Sequence, residues 1–133
     1  MADTIQLEIV TPERMVVKDT AEDVQIPGKG SYLGILPGHA PLITELAVGE
    51  ITYHHGGQTK RLAVAWGFAE VLPDKVTILA ETAERADEID VSRAQSAKQR
   101  AEEVLKKAGP EGDEAAQGAL LRANTRIEVA SKK

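Results

Sequence analysis

The sequence predicts an α+β fold, an N-terminal antiparallel β-sandwich over residues 1–86 followed by a C-terminal antiparallel two-helix hairpin over residues 87–133. Three features carry that reading. Apolar residues recur at every second position through the first part and at helical spacing after residue 90. Gly and Pro punctuate the first part at short intervals. A Gly109-Pro110-Glu111-Gly112-Asp113 break divides the helical part in two.

Ile5, Leu7 and Ile9 alternate with Gln6 and Glu8, which places three apolar side chains on one face of a first strand. Further strands are predicted at Arg14–Asp19, Asp23–Ile26, Ser31–Leu36, Glu50–His54, Thr59–Ala65, Gly67–Leu72 and Val76–Ala80. Pro27-Gly28-Lys29-Gly30, Gly56-Gly57 and Pro73-Asp74-Lys75 supply turn chemistry between them. Short strands at this spacing make a sandwich or barrel. Asp90 is placed to cap a helix running from Val91 to about Ala108, and a second helix runs from about Glu114 to Ala130. Their expected seam is Val91, Ala94, Ala97, Ala101, Val104, Leu105 and Ala108 against Ala116, Ala119, Leu120, Ala123, Ile127 and Ala130. Alanine dominates it. At roughly 25 cal/mol per Å² of buried apolar surface, a methyl contributes far less than a leucine side chain, so the contact is close but weak. The hairpin is therefore either an ordinary helical appendage or an element that moves.

The 133 residues suffice for one ordinary domain, or a domain with a small appendage. There is no cysteine, which removes disulfides, thiolate metal sites and a cysteine nucleophile. With Tyr32, Tyr53, Trp66 and Phe68 as its only aromatics, the core must be built from Val, Ile, Leu and Ala. The net charge of −5 argues against nucleic acid as a partner. The acidity belongs to residues 1–86, with seven Lys or Arg against twelve Asp or Glu, whereas residues 87–133 carry nine of each. No apolar run approaches the ~20 residues a membrane-crossing helix needs, so no direct membrane insertion is expected, and no secretory or transit segment is visible.

At about 100° per residue, Arg93 and Arg100 fall to one side of the first helix's seam, and Arg122 and Arg126 to the same rotational side of the second. In an antiparallel hairpin these offsets meet on one edge, with Arg93 expected opposite Arg126 and Arg100 opposite Arg122. The helices offer no Asp or Glu on that edge, since Glu102 and Glu128 project with Lys98 from the other. Such arginines are either solvated surface residues or a site for a polyphosphate or an acidic loop, which their planar guanidinium groups suit.

Enzymatic chemistry is not expected. Gly28-Lys29-Gly30-Ser31 lacks the spacing of a phosphate-binding loop. His54 and His55 are neighbours on a strand and face opposite sides, so they cannot share a metal ion. No nucleophile, base and orienting acid stand out as a set.

Leu36-Pro37-Gly38-His39-Ala40-Pro41-Leu42, the tail Arg122-Ala123-Asn124-Thr125-Arg126-Ile127-Glu128-Val129-Ala130 and the Ile89-Asp90-Val91-Ser92-Arg93-Ala94 run are similar to the ε subunit of bacterial F-type ATP synthases, over essentially the whole chain. The resemblance implies a non-catalytic rotor subunit at the cytoplasmic face of the bacterial membrane, peripheral to it. Its sandwich would bind the γ shaft subunit and the c-ring of the membrane sector, the latter through the loop holding Ser31, Tyr32 and His39. Tyr32 stands where some relatives carry an acidic residue, and His39, between Pro37 and Pro41, reads equally as a turn residue. The hairpin would permit ATP hydrolysis when folded on the sandwich and inhibit it when extended, meeting an acidic loop of the catalytic β subunits. The resemblance implies no obligatory cofactor, with ATP as a regulatory ligand of the folded hairpin. Glu84, Ile89, Asp90, Arg93, Ala94, Arg100, Arg122 and Arg126 match its nucleotide-binding positions. Two rival readings are a coupling subunit with a vestigial ATP site and a stand-alone nucleotide-sensing domain.

Overall fold

The computed structural model describes residues 3–109 and 112–132. Eight strands come first: β1 Ile5–Val10, β2 Met15–Ala21, β3 Asp23–Pro27, β4 Tyr32–Ile35, β5 Leu42–Leu46, β6 Gly49–His55, β7 Gln58–Val71 and β8 Lys75–Arg85. A short 3-10 turn, Ala86–Glu88, leads to helices α1 Val91–Ala108 and α2 Glu114–Ser131. The hydrogen-bonded strand order is β2-β1-β8-β7-β6-β3-β4, with β5 also on β7.

The layers arise because β7 changes partner midway. Its first half pairs with β6, from Gln58 to Val64, and its second half with β5, from Gly67 to Val71. The sheet divides there and folds over one core of Ile5, Leu7, Ile9, Ile26, Ile51, Leu62, Ile78 and their neighbours. Edge β2 meets β6 across the fold, where Tyr53 Oη donates to Asp19 at 3.1 Å and a His55 ring nitrogen lies 2.6 Å from the Thr20 carbonyl.

At the point of change Trp66 has φ 48° and Gly67 φ 134°. Together they invert the strand's alternation. Before the break Leu62 and Val64 face the core and Ala63 faces outward; after it Ala69 and Val71 face the core and Phe68 is exposed. The neighbouring strand shifts phase at the same level, from core-facing Val76, Ile78 and Ala80 to core-facing Ala83, with Glu81 and Thr82 exposed between. A Cβ on Gly67 would lie 1.9 Å from the Leu79 carbonyl oxygen, so only glycine fits.

Several expectations are corrected. Thr59–Ala65 and Gly67–Leu72 are halves of the single strand β7, because Gly67 kinks the ladder without ending it. β8 continues past Ala80 to Arg85, paired with β7 up to Leu62↔Arg85. Leu42–Leu46 is a strand whose alternation is hidden because its side chains are mostly exposed on both faces. One pair, β1 with β8, is parallel in a sandwich that is otherwise antiparallel, since β1 enters beside a strand that runs out toward the helices.

Both helices start on aspartate caps. Asp90 Oδ1 accepts from the Arg93 backbone N–H and Asp113 Oδ1 from that of Ala116, each at 3.0 Å. The seam buries Ala94, Ala101, Ala116 and Ala123 as expected, but Val104 is exposed. Val129, outside the expected seam, is buried, because α2 lies on the sandwich as well as on α1. Of the expected break, Pro110 and Glu111 lie outside the described residues.

Gly67→Ala is expected to destabilise the chain by about 3 kcal/mol or more, through both the carbonyl clash and the positive φ. Urea unfolding followed by circular dichroism measures it, and a loss under about 1 kcal/mol would mean that the break is not the sterically required feature it is taken to be.

Candidate functional site

The site is the junction of α2 with the outer face of β7 and β8. Its floor is made of small residues. Ala63, Ala86 and Ile89 pack against Val129 and Ala130, with Val91 alongside. Ala65, buried at the same surface, borders a narrow crevice with Thr82, Arg122, Thr125 and Arg126. Leu62 and Val64 face the sandwich core while Ala63 and Ala65 are covered by the helix, so this stretch of β7 is buried on both faces.

Three polar contacts fasten the helix to that floor. Arg126 Nε lies 2.7 Å from Glu84 Oε1, with both side chains at least two-thirds buried. The Arg122 guanidinium sits 5.0 Å from the centre of the Trp66 ring, which the break in β7 turns outward beneath α2. Gly118 leaves room for that indole, since a Cβ there would come within 3.1 Å of it. At the helix end, Lys132 Nζ lies 3.4 Å from Glu50 Oε2, an atom that also accepts from Arg61 at 3.3 Å and Thr52 at 3.2 Å. Glu50 Oε1 is buried without a hydrogen-bond partner.

The linker is clamped too. Glu88 takes Arg14 at 2.9 Å on one oxygen and Arg85 on the other. Burial is the largest single effect and disfavours its charge, but the hydrogen bonds and charges of Arg14 and Arg85 together outweigh it and hold its carboxyl below the usual glutamate range. The clamp is therefore intact above that range and is lost only as acid brings the pH down through the lowered value.

The eight residues matched to nucleotide binding take different places. Ile89 is a floor residue, Asp90 the α1 cap and Ala94 a seam residue, so each already has a packing or capping role. Glu84, Arg122 and Arg126 form the fastening between hairpin and sandwich. Arg93 and Arg100 are exposed and, among the described residues, make no ion pair. Arg126 takes its counter-charge from Glu84 on strand β8, which the helices alone do not supply.

Ser31, Tyr32 and His39 do not form one loop. Tyr32 opens strand β4, which separates Ser31 from His39, and the Tyr32 hydroxyl accepts from the Glu50 backbone N–H at 3.0 Å, beside the end of α2. Ser31 is exposed just before the strand, and His39 Nδ1 lies 2.6 Å from the Ala40 carbonyl. Trp66 and Glu50 escaped the sequence reading. Gly118 in mid-helix was the available sign of the first, since glycine there costs about 1 kcal/mol relative to alanine unless something needs the space. Among the described residues no three His, Asp or Glu side chains converge as metal ligands would, and no helix is long and apolar enough to cross a membrane.

A sandwich followed by a helical part is also the order that comparison with known proteins finds. Residues 4–86 match the ATP synthase delta/epsilon chain beta-sandwich domain, and residues 87–131 the long alpha-helix domain of the same chain. The chain belongs to the ATP synthase delta/epsilon family. It is 72% identical over 111 residues to the ATP synthase epsilon chain of Koribacter versatilis, covering 84% of this chain and 78% of that one. The epsilon chain of Solibacter usitatus is 46% identical over the full length of both, and that of Geotalea daltonii 46% identical over 99% of this chain and 97% of its own. Among solved structures, a chain of the Euglena gracilis mitochondrial ATP synthase (OSCP/F1/c-ring) superposes with a TM-score of 0.71 at 22% identity, covering 98% of this chain and 79% of that one. A chain of the Tetrahymena thermophila central stalk/c-ring gives 0.53 at 10% identity, with 96% and 94% covered. At these identities the structural likeness is one of fold, shared with chains of two mitochondrial ATP synthase structures.

Glu84→Gln removes the counter-charge of Arg126 and leaves every tryptic site in place. A partly buried pair of this kind is worth about 1 kcal/mol, so trypsin should cut within α1 and α2 roughly fivefold faster than in the parent chain. An unchanged cleavage rate would show that the pair does not fasten the hairpin.

Proposed function

We propose that the chain is a non-catalytic regulatory subunit of the rotor of a bacterial F-type ATP synthase, peripheral to the membrane on its cytoplasmic side. Its hairpin is the moving part: folded on the sandwich it permits ATP hydrolysis, and released it reaches an acidic loop of the catalytic subunits and inhibits. The observation that carries this reading is the mismatch at the junction. A helix of 18 residues is held to the sandwich by an alanine-rich floor and three polar contacts, while α1 carries two exposed arginines that make no ion pair among the described residues.

ATP fits that mismatch as a regulator. Its phosphates would take Arg93 and Arg100, which make no ion pair among the described residues, while Arg122 and Arg126 are held at the junction by Trp66 and Glu84. A ligand that binds only the folded hairpin stabilises it by RT ln(1 + [ATP]/Kd), about 2.7 kcal/mol at a hundredfold excess over Kd. That suffices to reverse a balanced equilibrium.

The shaft subunit has a matching surface away from the hairpin. Phe68 pairs with Leu79, Leu79 with Val10 and Val10 with Met15, which sets four apolar side chains in one row across β7, β8, β1 and β2. Phe68, Leu79 and Met15 are each about half exposed, as an interface core would be before its partner arrives. A membrane-ring contact through Ser31 and His39 would lie at the two ends of β4.

Two experiments test the reading. Calorimetry should detect ATP binding to the isolated chain, and an Arg93→Ala, Arg100→Ala variant, which disturbs no fastening contact, should bind at least tenfold more weakly; equal binding by both would remove ATP from this edge. A Phe68→Glu, Leu79→Glu variant should fold normally yet fail to co-purify with the shaft subunit, whereas retained co-purification would place the shaft elsewhere on the sandwich.

A further inference from the structure

Glu84 and Arg85 are consecutive on β8 and therefore face opposite sides of the sheet. Glu84 lies outward under the hairpin; Arg85, opposite Leu62 on β7, lies at the open end of the sandwich interior. A cleft of about 500 Å³ opens there. It is within the size range of small-molecule sites. Its walls come from three parts of the molecule: the strands, the 86–88 linker turn, and the end of α2.

The charge of this cleft runs against that of the chain. Lys18, Lys60, Arg61, Arg85 and Lys132 line it, against Asp19 and Asp87. The protein as a whole carries −5. Arg61 and Lys132 share Glu50, and Arg85 is engaged by Glu88, but Lys18 and Lys60 are exposed and make no ion pair among the described residues. Asp19 does not serve them, because it accepts from Tyr53 Oη at 3.1 Å and lies 3.3 Å from a His55 ring nitrogen. The tyrosine keeps its proton for that bond: burial, then the nearby Asp19 charge, push its pKa up to about 12.

We propose that this cleft is a second anion site, distinct from the arginine edge, which takes a small multivalent oxyanion such as a phosphate or polyphosphate between the sandwich lysines and the hairpin end. Lys18 and Lys60 supply unpaired charge, and Arg61 and Arg85 present guanidinium groups whose carboxylate partners leave donors free. Lys132 reaches the cleft only while α2 lies on the sandwich, so an anion held there favours the folded hairpin from the face opposite Glu84 and Arg126. The site is independent of whether ATP binds at Arg93 and Arg100.

The test is a titration of the full isotopically labelled chain with inorganic pyrophosphate, followed by amide chemical shifts. Saturable shifts are expected at residues 17–19, 60–62 and 85–87. A Lys18→Ala, Lys60→Ala variant, whose exposed substitutions leave the core untouched, should bind there at least tenfold more weakly, and Arg93→Ala, Arg100→Ala should leave those shifts unchanged. The proposal is overturned if the lysine variant titrates like the parent chain, if shifts at these positions rise without saturating, or if they occur only around Arg93 and Arg100.

Discussion

The reversal of strand phase at Trp66 and Gly67 is the constraint on which the rest of this structure depends. A regular β7 would keep one face in the core along all fourteen of its residues. Because the phase inverts, the strand's second half exposes Phe68 on the outside while its first half turns alanines outward and projects the indole beneath α2. One local backbone feature, of a kind that costs about 1–3 kcal/mol for a residue with a side chain at positive φ, thus sets the layering of the sandwich, the apolar row and the platform for the hairpin. Gly67 is the residue that lets the strands stay close enough to tolerate it.

The sandwich and the hairpin are held by different physics. Among the described residues, twenty buried side chains, most of them Ile, Leu or Val, form one continuous sandwich core. The hairpin's own attachment is a patch of five small or medium residues, with an ion pair at its middle, a cation over an indole, and a lysine at its tip. At roughly 25 cal/mol per Å², alanine surfaces give an attachment of modest strength. Its polar contacts exchange readily for water or for another anion. Such a junction can open without cost to the core, which is the physical requirement for an element regulated by what binds beside it.

Much of this was legible in the sequence, and the omissions have causes. Alternation found the strands wherever one face is buried and the other wet, as in Ile5, Leu7 and Ile9. It failed at Leu42–Leu46, where little is buried, because period two needs a contrast between faces, and it left Thr59–Ala65 and Gly67–Leu72 as two strands because the phase inverts between them. Helical spacing singled out Arg93, Arg100, Arg122 and Arg126 from the sequence alone. It could not supply Glu84 as a counter-charge or Trp66 as a platform, since both reach the hairpin from strands whose register is set by long-range pairing. Asp90 was found because a cap is a local device, and Val129 was missed because the face it covers belongs to another domain.

The central claim is that the hairpin opens as a unit separate from the sandwich and that an anion at its edge closes it. Amide hydrogen exchange on the isolated chain, with and without ATP, tests this most directly. Amides of α1 and α2 should exchange through an opening of much lower free energy than those of β1, β7 and β8, and ATP at a hundredfold excess over its Kd should slow the helices about a hundredfold while leaving the strands unchanged. Helices and strands exchanging together at one rate, or helices indifferent to ATP, would contradict it.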